Sequence, residues 1–145
     1  MELQSRDMDA LKTMMDRDRW AKVAGISLES VSEGRARARM EAGADHLNGV
    51  DIVQGGAIFT LADFAFAAAC NSSGVVAVAV NVGISFLKAA KPGVLTAEAE
   101  EVSRSNRLST CSVRVTDASG ELVALFTGTA YRTSRRHEPA APAGR

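Results

Sequence analysis

Hydrophobic residues change their spacing several times along the chain, and each change marks an element. Over residues 7–22, Met8, Leu11, Met14 and Met15 recur at helical spacing with charges between them, which predicts an amphipathic helix. Such a helix either covers the edge of a core or acts as a flap over a ligand, and Trp20 is expected to anchor the cover. From Ile26 the period shortens. Ile26, Leu28 and Val31 lead to Ser32-Glu33-Gly34, after which Arg35, Arg37 and Arg39 alternate with Ala36, Ala38 and Met40. That is the pattern of strand, turn and strand. The alternation sets the three arginines along one solvated face rather than in an anion site. Residues 43–54 are irregular. Residues 55–69 then read Gly-Gly-Ala-Ile-Phe-Thr-Leu-Ala-Asp-Phe-Ala-Phe-Ala-Ala-Ala, a helix apolar on nearly every side, closed by Asn71-Ser72-Ser73-Gly74. Four β-rich runs follow at about residues 76–88, 94–104, 107–117 and 122–133, rich in Val, Thr, Leu and Ile. Lys91-Pro92-Gly93, Ser105-Asn106 and Asp117-Ala118-Ser119-Gly120 separate them, and this turn chemistry predicts that consecutive strands pair antiparallel.

Two strands, a long apolar helix and a run of antiparallel strands make an α+β arrangement with the helix laid on one sheet face. Residues 1–24 form a helical N-terminal segment, residues 25–134 the sheet-and-helix domain, and residues 135–145, with small residues and prolines, a flexible tail. A helix this apolar needs more cover than one sheet provides, so a second subunit is expected to complete the enclosure. The 145 residues, 46% of them hydrophobic, suffice for one domain with its own core. Seventeen basic and seventeen acidic residues cancel, which argues against nucleic acid or an anionic membrane as partner. The charged residues 1–7, with no apolar stretch of membrane-spanning length, predict a cytoplasmic protein. Cys70 and Cys111 stand far apart with no C-x-x-C spacing and are read as two reduced, packed thiols.

One position breaks the pattern. Asp63 is a lone acid in the middle of the apolar helix, and burying a carboxylate is costly unless it is hydrogen-bonded or faces a wet cleft. A functional task or a structural hydrogen bond can each account for it.

The stretch from His46 through Leu47-Asn48-Gly49-Val50-Asp51-Ile52-Val53-Gln54-Gly55-Gly56 to Asp63 resembles the signature of the hotdog-fold acyl-CoA thioesterases, in their phenylacetate-degradation branch. Ala67-Ala68-Ala69-Cys70-Asn71-Ser72, Ile84-Ser85-Phe86-Leu87 and Val123-Ala124-Leu125-Phe126-Thr127-Gly128 extend the resemblance over about residues 25–132. It implies an antiparallel sheet of five or six strands wrapped around one long helix, dimerised edge to edge and usually paired again into a homotetramer. The implied activity is hydrolysis of an acyl-CoA, with phenylacetyl-CoA or a hydroxylated aryl-acyl-CoA as candidate substrate and no metal or other cofactor.

Thioester hydrolysis needs an activated nucleophile and a donor aimed at the developing oxyanion. The backbone N–H of Gly55, in the first turn of the helix, has no intrahelical acceptor and lies at the positive end of the macrodipole. Asp63 follows eight positions later, about 12 Å along an ideal helix and roughly 80° around it, too far for both to reach one carbonyl. The pair is therefore expected to act from different subunits, as the resemblance also implies. Asp63 is then a general base for water or a nucleophile forming a transient anhydride.

Asn48 matches the family's asparagine, which either hydrogen-bonds near the thioester or holds its loop. Gln54 stands where these thioesterases usually carry histidine; it can donate and accept hydrogen bonds but cannot relay a proton. Some relatives also carry a serine on the strand after the helix, where this chain has Ala79. Thr60 is a substitute hydroxyl unless it bonds its own backbone. Phe59 and Phe66 flank Asp63 at helical spacing, either as acyl-pocket walls or as core. Lys88, Lys91, Arg104, Asn106 and Arg107 lie in the loops that the resemblance assigns to coenzyme A, where the cations suit phosphates but are also ordinary turn residues. Two other readings exist. A noncatalytic acyl-CoA-binding or assembly protein with the same fold is consistent with Gln54, whereas a hotdog dehydratase is disfavoured because His46 and His137 are the only histidines.

Overall fold

In a computed structural model describing residues 5–138, six strands form one antiparallel sheet around a single long helix. The elements are α1 (Ser5–Asp16), α2 (Arg19–Ala24), β1 (Ile26–Ser32), β2 (Arg35–Ala42), a 3-10 turn (Ala44–His46), α3 (Gly55–Asn71), β3 (Val75–Phe86), β4 (Gly93–Arg104), β5 (Leu108–Thr116) and β6 (Leu122–Arg136). The strand order is β1-β2-β4-β5-β6-β3. This is the expected α+β hotdog architecture, with six strands.

Strict alternation makes the sheet one-sided. In β2, Ala36, Ala38, Met40 and Ala42 are buried while Arg35, Arg37 and Arg39 are exposed. The arginines pair with acids on neighbouring strands, Arg35 with Glu100 at 2.7 Å and Arg37 with Glu29 at 2.7 Å. The face they occupy is solvated, as the period predicts. On the inner face, Leu95, Ala97, Val113, Val115, Val123 and Phe126 meet Leu61, Ala65, Phe66 and Ala68 of α3. Gly128 makes one contact possible: a Cβ there would lie 2.8 Å from the Phe66 ring, so the ring rests directly on the β6 backbone.

Four expectations are corrected. Consecutive strands do not all pair: β3 joins β6, and β4 joins β2 and β5. The segment after β3 is no hairpin, because the N–H groups of Leu87 and Lys88 donate to the Val123 carbonyl while Val53 N–H donates to the Ala90 carbonyl. These bonds carry the chain across the sheet end to the opposite side of β5. The N-terminal helix is also broken in two, because the Asp18 carboxylate accepts the Ala21 N–H at 3.0 Å and starts a new helix, ended by Gly25 at φ 77°. That turn buries Ala21 and leaves Trp20, the expected anchor, 66% exposed. Finally, β6 runs on to Arg136, which pairs with Val75, so the expected tail begins inside a strand; residues 139–145 lie outside the described residues.

Among the described residues, two surfaces remain uncovered. Edge strand β3 exposes Val78 and Val80 over a twelve-residue length with one side unpaired. On α3, Gly56, Phe59, Thr60, Asp63 and Ala67 form a stripe at helical spacing that is not buried, while most of the remaining helix is. Cys70 and Cys111 are free and buried, and burial raises both thiol pKa values, that of Cys111 to about 11. No helix among the described residues is long and apolar enough to cross a membrane.

Candidate active site

Asp63 sits half-buried on the open stripe of α3, and its carboxylate has no hydrogen-bond partner among the described residues. Burial first, and the negative charge of Asp18 second, hold its pKa above the usual carboxylate range. A carboxylate with no bond to release and raised basicity is suited to taking a proton.

At the start of the same helix, Gln54 has φ −62° and ψ 135°, so its carbonyl receives the N–H groups of Ala57 and Ile58 while its own N–H donates to the His46 carbonyl. Gly55 and Gly56 come next, and their N–H groups are left without acceptors among the described residues. The glycines have steric reasons as well. A Cβ on Gly55 would come 3.1 Å from the tip of the Phe86 ring, and one on Gly56 would come 2.5 Å from Gln54 Oε1. The Gln54 side chain thus folds over the helix start without a hydrogen bond of its own among the described residues.

The preceding loop is built to hold that start. Asn48 Oδ1 accepts the N–H groups of Val50 at 3.0 Å and Ile52 at 3.3 Å, while its backbone N–H donates to the Ile52 carbonyl. Asn48 therefore closes its own loop, where Asp51 takes a left-handed φ of 62°. His46 accepts the Gly43 N–H at Nδ1 and donates from Nε2 to the Ala24 carbonyl at 2.6 Å, tying α2 to the loop. Thr60 donates to the Gly56 carbonyl and accepts from the Trp20 indole N–H at 3.3 Å, so its hydroxyl is engaged. Phe59 packs edge-on against Phe126 at 5.6 Å on the open side, whereas Phe66 is 1% exposed and belongs to the core of the protomer.

The five candidate coenzyme A residues divide between two ends of the sheet. Lys88 and Lys91 lie near the α3 start, and Arg104, Asn106 and Arg107 at the far end of β4, whose length is about 36 Å. Lys88 is held by Asp117 at 2.9 Å and by Glu121, and Arg104 by Glu101 at 2.7 Å and Glu33 at 3.1 Å. Lys91 and Arg107 have no carboxylate partner among the described residues; Arg107 instead donates to the Tyr131 hydroxyl at 2.9 Å. One protomer cannot bring the two groups together.

The model of the thioesterase superfamily matches residues 51–124, the segment holding the helix start, Asp63 and strands β3 to β5. The chain belongs to the thioesterase superfamily. Among relatives of this thioesterase, a putative esterase of Archaeoglobus fulgidus is 38% identical over 127 residues, covering 87% of this chain and 82% of the relative. The acyl-coenzyme A thioesterase PaaI of Escherichia coli is 38% identical over 120 residues, 82% of this chain and 86% of its own. The solved structure of E. coli PaaI, described as from the phenylacetic acid degradation operon, superposes with a TM-score of 0.85 at 35% identity, over 91% of this chain and 99% of that one. A hypothetical thioesterase of Streptococcus pneumoniae with coenzyme A matches at 0.80 and 26% identity, over 86% and 98%. The thioesterase thus falls in the phenylacetate-degradation branch, and its reaction class is thioester hydrolysis.

Three residues at this site escaped the sequence reading as site residues. Phe86 lies over Gly55, Asp18 adds its charge to Asp63, and Trp20 is bonded to the α3 stripe instead of buried. For Trp20 a signal existed: its neighbours Asp18, Arg19 and Lys22 are charged, which marks the polar side of a helix.

Proposed function

We propose that the protein hydrolyses acyl-CoA to the free acid and coenzyme A, acting as a homodimer that pairs again into a homotetramer, with an aryl-acyl group such as phenylacetyl as substrate. The observation that carries this reading is the pairing of an uncommitted carboxylate, Asp63, with the acceptor-free N–H of Gly55 on one continuous helix. The name of the E. coli relative and the coenzyme A in the S. pneumoniae structure support it.

Because eight helical residues separate the two groups, by about 12 Å, the site combines Asp63 of one protomer with Gly55 of the other. Gly55 N–H receives the thioester carbonyl oxygen at the positive end of α3. Asp63 takes a proton from water as the water oxygen bonds to the carbonyl carbon, and the resulting oxyanion stays on the Gly55 N–H. Collapse re-forms the carbonyl, breaks the C–S bond and returns the proton from Asp63 to the departing thiolate. Asn48 acts by shaping the loop, and Gln54 borders the carbonyl without proton transfer. Lys91 of one subunit and Arg107 of the other, without carboxylate partners among the described residues, supply cations for phosphates.

Thiol release from a panel of acyl-CoAs tests the assignment. Turnover of at least one aryl-acyl-CoA is expected, and Asp63→Asn is expected to lower kcat by about 10²–10⁴. Full activity in that variant removes Asp63 from the mechanism, and tight acyl-CoA binding without turnover by the natural chain makes it a binding protein.

A further inference from the structure

A groove of about 740 Å³ runs between α2, the Ala44–His46 turn and the first turns of α3. Its floor is Gly56 and Thr60, so it opens one residue from the Gly55 N–H. Trp20, Val23, Leu47 and Ala57 give it apolar walls. Among the described residues no lysine or arginine lines it, and Asp45 contributes a negative charge, so it lacks the cations that would hold phosphates. The cations near the helix start, Lys88 and Lys91, lie instead in the connection after β3, on which side Phe86 borders Gly55. A thioester placed at Gly55 therefore meets unlike surroundings in its two directions: charged toward the β3–β4 connection, apolar toward α2.

Trp20 is the largest element of the apolar side. It is 66% exposed, yet its indole N–H is pinned to Thr60 Oγ1 at 3.3 Å, and α2 is fixed behind it by the Asp18 cap and the His46–Ala24 bond of 2.6 Å. A flat aromatic surface held in place and left uncovered is suited to stacking. We infer that this groove receives the acyl group and that Trp20 is its specificity-determining wall, selecting a flat aromatic acyl group over a short aliphatic one. The inference rests on the placement of the thioester at Gly55 proposed above.

Trp20 is the single tryptophan of the chain, so its emission reports on the groove independently of turnover. In the Asp63→Asn protein, titration with phenylacetyl-CoA is expected to change that emission saturably, while coenzyme A alone leaves it unchanged. Equal changes with both ligands, or calorimetric binding of phenylacetyl-CoA with no change in emission, overturn the inference. Trp20→Ala is expected to lower kcat/KM for phenylacetyl-CoA by about tenfold, the scale of one lost aromatic contact, and to leave that for acetyl-CoA within about threefold. Trp20→Phe, which keeps a ring but lacks the N–H, retains the preference; an equal loss for both substrates, or a Phe variant as poor as Ala, assigns Trp20 a merely structural role. Full turnover by Asp63→Asn would sink the mechanism proposed above while the substrate preferences of the Trp20 variants still decide where the acyl group lies.

Discussion

Asp63 is a residue whose surroundings raise its basicity at the expense of the fold. A carboxyl whose pKa is higher folded than unfolded favours the neutral form, so its contribution to stability declines as pH rises from the unfolded pKa through the folded one. Above both values the charged side chain destabilises the protein. Asp63→Asn is therefore expected to raise Tm at pH 7 while activity falls; scanning calorimetry beside the thiol assay checks both signs. The second cause of the shift is separable. Asp18→Asn keeps a good helix cap but removes the charge, so the acid limb of the kcat/KM profile is expected to move to lower pH. An unmoved limb means that the charge of Asp18 does not reach the reacting carboxylate. Asp63 itself was legible in the sequence because an acid in an apolar helix violates the pattern. Asp18 was not, because its effect depends on how a broken helix folds back over α3, and helical spacing carries no information about that angle.

At the scale of elements, the helix start is the proposed oxyanion site. Gly55 is the first residue of α3, where proline is tolerated, and the backbone of Gln54 already suits a following proline. Gly55→Pro deletes the N–H and requires the exposed Phe86 ring to shift. Its expected effect is a fall in kcat of about 10²–10³ with KM little altered and an unchanged circular dichroism spectrum, the result of losing one oxyanion donor. An unaffected kcat places the donor elsewhere. Two elements followed closely from the sequence: β2 alternates as its period predicts, and α3 ends at Asn71, the first residue of the expected Asn71-Ser72-Ser73-Gly74 cluster. The pairing of β3 with β6 did not, because alternation says which face a strand buries and nothing about which strand lies beside it. The strand pairings and the backbone bonds of Leu87, Lys88 and Val53 reveal the crossing.

At the scale of the whole molecule, two features stay open among the described residues, the β3 edge with Val78 and Val80 and the α3 stripe that carries Asp63. A long apolar edge with one unpaired side invites another strand, and pairing with a second copy would cover it. A two-fold antiparallel arrangement would also set the Arg107 end of one sheet beside the Lys91 end of the other, uniting cations that one protomer holds apart. The central claim is that Asp63 and Gly55 serve one thioester from two chains. Its most direct test is to unfold and refold Asp63→Asn and Gly55→Pro chains together and measure thiol release. Each variant alone is expected to be nearly inactive, but half of randomly mixed dimers hold one site with both natural residues, so the mixture is expected to recover about one quarter of natural activity. A mixture that forms dimers of both chains yet stays as inactive as its components would contradict the shared site.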